Sequence, residues 1–291
     1  MIDRSKDSSS FNADDTIKIV DSHCHLDRLD FSALKHGLDK KSDKTEFNLE
    51  DVLDHASAND VAHMLCVCID LENFNKVIEI AKKYPFITAS YGKHPTDTEG
   101  KEPSIADLVS CARDNKEVIA LGETGLDYFH GDQNTIKLQK DRFVTHIEAS
   151  VQANLPLIIH SRDAKEDTLS FLKNTTSKSP FGVFHCFTGD YEMAKKGIDL
   201  GFYISFSGII TFKNAVELQD IAKKLPLDAL LIETDSPYLA PVPYRGKSNF
   251  PGYVKQVALK LAELKGCDYE TIAKQTTDNF LRCFKLDSLS R

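Results

Sequence analysis

The sequence predicts a single (β/α)8 barrel, an α/β fold in which eight parallel strands close inside a ring of helices. Three observations point there: short apolar or β-branched runs alternate with longer segments of helical spacing, the connections between them are short, and the strand candidates number eight. A chain of 291 residues is long enough to bury one core of that size. An open nucleotide-binding sheet would ask for a glycine-rich turn after the first strand, but here that strand runs straight into His23-Cys24-His25.

The expected strands are Ile17–Asp21, Ala62–Ile69, Ile87–Tyr91, Val118–Gly122, Leu155–His160, Gly182–Cys186, Phe202–Ser205 and Ala229–Glu233. Helices are expected over Asn73–Tyr84, Ser104–Asn115, Thr135–Ala153, Lys165–Asn174, Glu192–Leu200 and Ala215–Leu225, and from Tyr253 to the C-terminus. In the first of these, Val77, Ile78, Ile80 and Ala81 form one apolar stripe while the lysines and Glu79 face away, as a helix lying on a sheet requires. Residues 1–15, polar and rich in Ser and Asp, are expected to be a disordered tail, and residues 16–291 one barrel domain. Arg28 to Leu49, long and rich in Lys and Asp, interrupts the rhythm and reads as a loop insertion beside the mouth of the barrel, placed either to shape the cleft or simply to lie in solvent.

Composition narrows the function. The chain is 41% hydrophobic and 27% charged, near the globular average, and its longest apolar runs, such as Leu155–Ile159 and Ala229–Ile232, are far too short to span a bilayer. The seven cysteines lack the even count of a disulfide framework, and Cys66, Cys68 and Cys186 sit in apolar runs as small hydrophobes would, so a reducing cytoplasm is expected. A net charge of −8 excludes whole-surface, counterion-driven nucleic-acid binding but not a nucleic-acid substrate held at a metal centre.

The chemistry sits at strand ends. His23 and His25, two apart on a strand, face the same side. Glu123 follows the fourth strand, His160 ends the fifth, His185 the sixth and Asp235 the eighth. One His-x-His is weak, but six ligand-type side chains at the carboxyl ends of five strands occupy the face where barrels place active sites. Imidazoles mixed with carboxylates suit Mg²⁺, Mn²⁺ or Zn²⁺. Four imidazoles and two carboxylates exceed the needs of one tetrahedral ion, which points to two metal ions with a carboxylate between them.

The motifs carrying these residues are His-x-His-Leu-Asp within Ile19–Asp27, Gly-x-His-Pro at Gly92–Pro95, Gly-Glu-x-Gly-Leu-Asp at Gly122–Asp127 and Leu-Pro-x-x-Ile-His-Ser-Arg-Asp-Ala at Leu155–Ala164. His-Cys-Phe-Thr-Gly at His185–Gly189 and Glu-Thr-Asp-Ser-Pro-Tyr-Leu-Ala-Pro at Glu233–Pro241 complete the set. Together they resemble the signatures of the TatD-like deoxyribonucleases, from about Ile19 to Asn279-Phe280. The resemblance implies an amidohydrolase-type barrel, two divalent ions with magnesium the usual activator, and hydrolysis of DNA, often from the 3′ end. It implies His23, His25 and Asp235 at the first metal, His160 and His185 at the second, and Glu123 bridging them where related superfamilies use a carbamylated lysine. Where the family commonly reads Pro-x-Pro-His-Arg-Gly-Lys-Arg-Asn-Glu-Pro, this chain has Tyr244, Ser248 and Phe250 for the histidine, the second arginine and the glutamate. Tyr244 and Phe250 have two readings, stacking on a base or ordinary loop packing.

A metal-activated water is the expected nucleophile, with Asp235 the candidate base. His94 and Arg162 are the expected phosphate contacts, Arg162 having as its competing reading an ion pair with Asp163 or Asp127. Lys93, Lys213, Arg245 and Lys247 would add a basic rim. The expected partner is DNA as substrate, with no membrane and a monomeric enzyme. Two other functions stay open: hydrolysis of a small amide or lactone at the same centre, and nucleic-acid or metal binding without turnover.

Overall fold

The computed structural model describes residues 17–36 and 46–289. The expected tail over residues 1–15 and the middle of the expected insertion, residues 37–45, lie outside them.

Eight parallel strands follow one another around the sheet in sequence order: β1 (Ile19–Cys24), β2 (Val61–Cys66), β3 (Ile87–Tyr91), β4 (Val118–Asp127), β5 (Leu157–Arg162), β6 (Gly182–Phe184), β7 (Phe202–Phe206) and β8 (Leu230–Ile232). The first and last strands meet beyond β8. Cys24 bridges Ser236 in parallel, the His25 amide donates to the Ser236 carbonyl at 2.8 Å, and the Asp235 amide donates to the His23 carbonyl at 2.9 Å. The ring therefore closes on the backbone of the residues expected to bind metal. The helices α1 (Leu49–Ala58), α2 (Phe74–Lys83), α3 (Ile105–Asp114), α4 (Gln133–Ala153), α5 (Lys165–Asn174), α6 (Tyr191–Asp199), α7 (Val216–Lys224), α8 (Val254–Lys265) and α9 (Tyr269–Phe284) complete a (β/α)8 barrel. Among the described residues no helix is long and apolar enough to cross a membrane.

All eight expected strands are present, with two differences that bear on the site. β4 does not stop at Gly122 but runs on to Asp127, so Glu123 projects from within a strand instead of from a turn. Gly-Glu-Thr-Gly punctuates like a loop, yet its glycines serve close strand packing. Gly122 and Gly125 hold φ values of +139° and +136°, and a Cβ would come within 2.7 Å of the Ile158 carbonyl and 2.0 Å of the His160 carbonyl. The second difference is α1, which the reading of Arg28–Leu49 as a loop leaves unassigned. Asn48 accepts from the Asp51 amide while Asp51 accepts from the Asn48 amide, a reciprocal cap that starts the helix.

Two apolar layers result. Outside the strands, the helices bury a large core including Ile19, Met64, Leu121, Phe143, Phe184 and Val257. Inside, Val20, Leu65, Ile119, Ile158, Val183 and Leu231 pack together with Phe280, Cys283 and Phe284 of α9. Asn279 anchors this plug by donating to the carbonyls of Leu227 and Leu230 at 2.8 and 2.7 Å, where β8 begins. The plug is thus at the amino ends of the strands, leaving the carboxyl ends to the site.

His63 lies in this inner region, 1% exposed, with Nε2 3.0 Å from the Thr88 hydroxyl and its ring 5.5 Å from that of Phe280. Burial lowers its pKa from 6.5 to about 4. The unfolded chain therefore takes up a proton near pH 6.5 that the folded protein refuses until about pH 4. The stability this group contributes is complete above pH 6.5 and lost as the pH falls toward 4, by roughly 3 kcal/mol. In urea titrations at pH 7 and pH 4.5, His63→Leu is expected to lose less stability between the two pH values than the parent, by about 2–3 kcal/mol. Equal losses would show that His63 is not held neutral.

Candidate metal centre

Glu123 is the point on which the side chains converge. It is 3% exposed, and its carboxylate lies 2.7 Å from His185 Nε2, 3.1 Å from His160 Nδ1, 3.2 Å from His94 Nε2 and 3.4 Å from His23 Nε2. Asp235 approaches from β8, its Oδ1 3.3 Å from His25 Nε2 and 3.7 Å from His23 Nε2. The rings of His23 and His185 stack with centroids 4.0 Å apart, and His23 Nε2 faces His25 Nε2 at 3.3 Å. All six side chains expected to bind metal are in this cluster, and His94 joins it. Arg162 does not: its exposed guanidinium lies 4.1 Å over the ring of Phe129.

Local backbone sets these positions. β1 slips register between Asp21 and Cys24 as it leaves the sheet, and His25 stands one residue beyond its end. Asp235 sits at φ +57°, in the left-handed region that a short polar side chain tolerates, held by its own amide to His23 and by the Tyr238 amide donating to its carbonyl at 2.9 Å.

Hydrogen-bond partners fix which nitrogen of each ring faces inward. His25 donates through Nδ1 to the Val67 carbonyl at 3.0 Å, leaving the Nε2 lone pair toward Asp235. His160 donates through Nε2 to Asp127 Oδ2 at 3.0 Å, leaving Nδ1 toward Glu123. His94 has the opposite arrangement. Its Nδ1 accepts from the Thr96 amide at 3.2 Å, so Nε2 carries the proton and faces Glu123 as a donor. His94 therefore has the form of a hydrogen-bond donor to an anion, and His25 and His160 have the form of metal ligands.

Burial alone would raise the Glu123 carboxyl, but the surrounding imidazoles, His185 and His94 foremost, hold it well below its usual range. Asp235 is likewise lowered, against burial, by the nearby imidazoles of His25, His23 and His185. Both carboxylates are thus poised as anions. His23 Nδ1 and both ring nitrogens of His185 lack a hydrogen-bond partner, although His185 Nε2 lies 2.7 Å from the Glu123 carboxylate. Three sets of donors lie within 4.8 Å of one another: His23, His185 and Asp235; His23, His25 and Glu123; and His94, Glu123 and His160. Unpartnered nitrogens beside ionised oxygens, in a mixed imidazole and carboxylate set, fit divalent cations.

Several supporting residues are absent from the sequence-based set. Asp127 receives His160 and also His130, whose Nδ1 is 2.9 Å away, so it is not free to pair with Arg162. Glu233, fully buried, accepts from the Cys186 amide at 2.6 Å and lies 3.4 Å from His185 Nδ1. Asp21 accepts from the Thr234 amide at 2.8 Å and hydroxyl at 2.5 Å, fastening β1 to the loop after β8, while burial pushes its carboxyl up to about 8. Each precedes or follows a ligand by an even number of residues: Asp21 before His23, Glu233 before Asp235, Asp127 after Glu123. Strand alternation was the signal available to find them.

One expectation about the rim is corrected. Lys93 is 1% exposed and pairs with Glu102 at 3.2 Å, so it belongs to the interior, whereas Lys213, Arg245 and Lys247 are exposed as expected. Phe250 is also 1% exposed, packed 6.0 Å from Tyr253 in the core and out of reach of any base. Tyr244 stacks on Tyr253 at 3.9 Å and is only partly covered. Of the two readings of these aromatics, loop packing is the one observed.

Barrel and cluster together define the class of metal-dependent hydrolases, and comparisons with known proteins agree. Residues 20–285 match the family model described as TatD related DNase. The chain is 44% identical over 270 residues to the metal-dependent hydrolase YcfH of Escherichia coli strain K12, covering 93% of this chain and 97% of that one. It is 29% identical to the 3′-5′ ssDNA/RNA exonuclease TatD of Salmonella typhimurium, over 86% of this chain and 98% of that one. The crystal structure of the TatD homologue YjjV from Escherichia coli K12 superposes with a TM-score of 0.80 at 29% identity, covering 92% and 98% of the two chains. The protein belongs to the TatD family of metal-dependent hydrolases.

Asp127 orients His160 from behind, and partners of that kind typically carry a 10–100-fold effect on metal affinity. Asp127→Asn is expected to weaken Mn²⁺ binding by about tenfold or more in isothermal titration calorimetry. Unchanged affinity would remove His160 from the ligand set.

Proposed function

We propose that this protein hydrolyses phosphodiester bonds of DNA, working inward from the 3′ end, at a centre of two divalent cations. The observation that carries the reading is the buried Glu123 carboxylate with imidazoles on several sides and a second carboxylate, Asp235, on the opposite wall. In this reading His23, His25 and Asp235 hold one cation, His160 and His185 the other, and Glu123 bridges both. Magnesium is the proposed native ion, with manganese and zinc as alternatives the same donors accept. Bound there, the cations would lower the pKa of water and neutralise charge gathering on the phosphate.

The chain's own residues then have distinct tasks. Asp235, held as an anion, accepts the proton of the attacking water. His94 donates through Nε2 to a phosphate oxygen, the anion its tautomer is set to receive. Arg162, exposed beside Phe129, contacts the phosphate backbone as it enters. The choice of DNA and of the 3′ end is supported by the description of the matched family and by the activity named for the Salmonella relative. Seven free thiols support a cytoplasmic setting.

The test is cleavage of 3′-labelled single-stranded DNA with Mg²⁺ or Mn²⁺, beside a panel of amides and lactones. Shortening from the labelled end, abolished by chelation, is expected, and Glu123→Ala is expected to lower the rate by about 100-fold or more. Phosphodiester cleavage that survives in Glu123→Ala within about threefold would remove the bridging role, and turnover confined to the amides or lactones would replace DNA as the substrate.

A further inference from the structure

His94 reaches Glu123 from the loop after β3, and that loop is gripped from outside the barrel. Arg142 of α4 has a fully buried side chain and spends each arm of its guanidinium on this loop or its anchor. Nη1 donates to the carbonyls of His94 and Pro95, the latter at 3.3 Å. Nη2 donates to the Asp97 carbonyl at 2.7 Å. Glu102 clamps the other edge, its oxygens 2.7 Å from Nε and 2.5 Å from Nη2. A second contact repeats the pattern from the same helix. The Lys93 amide donates to His146 Nε2 at 3.3 Å, while His146 Nδ1 donates back to the Arg142 carbonyl at 2.9 Å. The Lys93 ammonium, also buried, donates to the carbonyls of Glu99 and Lys101 and pairs with Glu102.

We infer that Arg142 is a positioning residue: by holding the carbonyls of His94, Pro95 and Asp97 it fixes the imidazole over Glu123. The geometry favours this over a purely structural role. A buried guanidinium needs partners to be tolerated at all, and Glu102 with any nearby carbonyls would serve. Here three of its hydrogen bonds fall on the consecutive stretch from His94 to Asp97, the stretch that includes Thr96, whose amide sets the His94 tautomer. Arginine suits the task because its planar fork presents several donors at once, which a lysine's point charge does not. Displacing the His94 backbone by even a fraction of an ångström would carry Nε2 out of line with Glu123 and with any anion bound beside it.

The inference rests on the proposed role of His94, so its test combines activity with a readout that does not need turnover. With bis(4-nitrophenyl) phosphate as the probe, Arg142→Met is expected to lower kcat/KM by about tenfold or more in the parent, but less than about twofold when His94 is already alanine. Histidine-ring NMR spectra of the metal-free protein should show the His94 resonances moved by Arg142→Met and those of His25 unmoved. Arg142→Lys, retaining charge without the fork, should leave the kcat/KM loss largely unrescued. Should Arg142→Met not fold, Glu102→Gln loosens the same guanidinium without opening a cavity, and the same cycle with His94→Ala is read on it. Equal losses in both backgrounds, or unmoved His94 resonances, would overturn the positioning role. A parent protein inactive on every phosphodiester would instead overturn the proposed function, leaving the NMR comparison to decide this one.

Discussion

Glu123 brings a negative charge into a site where only 3% of its surface meets solvent, and such a charge persists only if opposite charge or donated hydrogen bonds surround it. Here imidazoles from β1, β5, the loop after β3 and the end of β6 supply them, each within 3.4 Å of the carboxylate. Because these residues come from different strands, the requirement reaches the whole barrel. The ring must close, and it closes through the amides of His25 and Asp235. β4 must run far enough to carry Glu123 and Asp127 on one face, and its glycines allow β5 to lie against it there.

Apolar periodicity made the barrel legible, because most strand positions are buried with little alternation, as in parallel strands covered on both faces. Metal-ligand chemistry made the cluster legible, since imidazoles and carboxylates at successive strand ends have few other reasons to recur. What escaped was set by local signals weaker than these. Gly122 and Gly125 look like turn residues, and only the close approach of β5 reveals them as strand. The cap formed by Asn48 and Asp51 lay beside a charged segment that hid the start of α1. Lys93 was misplaced, a lysine read as solvent-facing although four acceptors or acids around it make burial tolerable, while Phe250 took the packing alternative because the core absorbs it.

The residues around the cluster divide by what they fasten. Asp127 and the Val67 carbonyl set individual rings and Glu233 holds the Cys186 amide beside His185, whereas Asp21 with Thr234, and Asn249 with the carbonyls of Thr234 and Tyr238, fasten the loop that carries Asp235. Asn249 lies in the same segment where Tyr244, Ser248 and Phe250 depart from the common family pattern, and it is fully buried. The departures therefore change the outer packing of that loop, with Tyr244 stacked on Tyr253, while the buried amide that supports the Asp235 loop is retained.

The central claim is that this cluster accommodates a pair of cations about Glu123. Anomalous diffraction from crystals soaked in Mn²⁺ tests it most directly. The account predicts two peaks about 3.5–4 Å apart, one on each side of the Glu123 carboxylate, with His23, His25 and Asp235 at one and His160 and His185 at the other. Peaks absent from the cluster at saturating Mn²⁺, or bound elsewhere on the barrel, would contradict it.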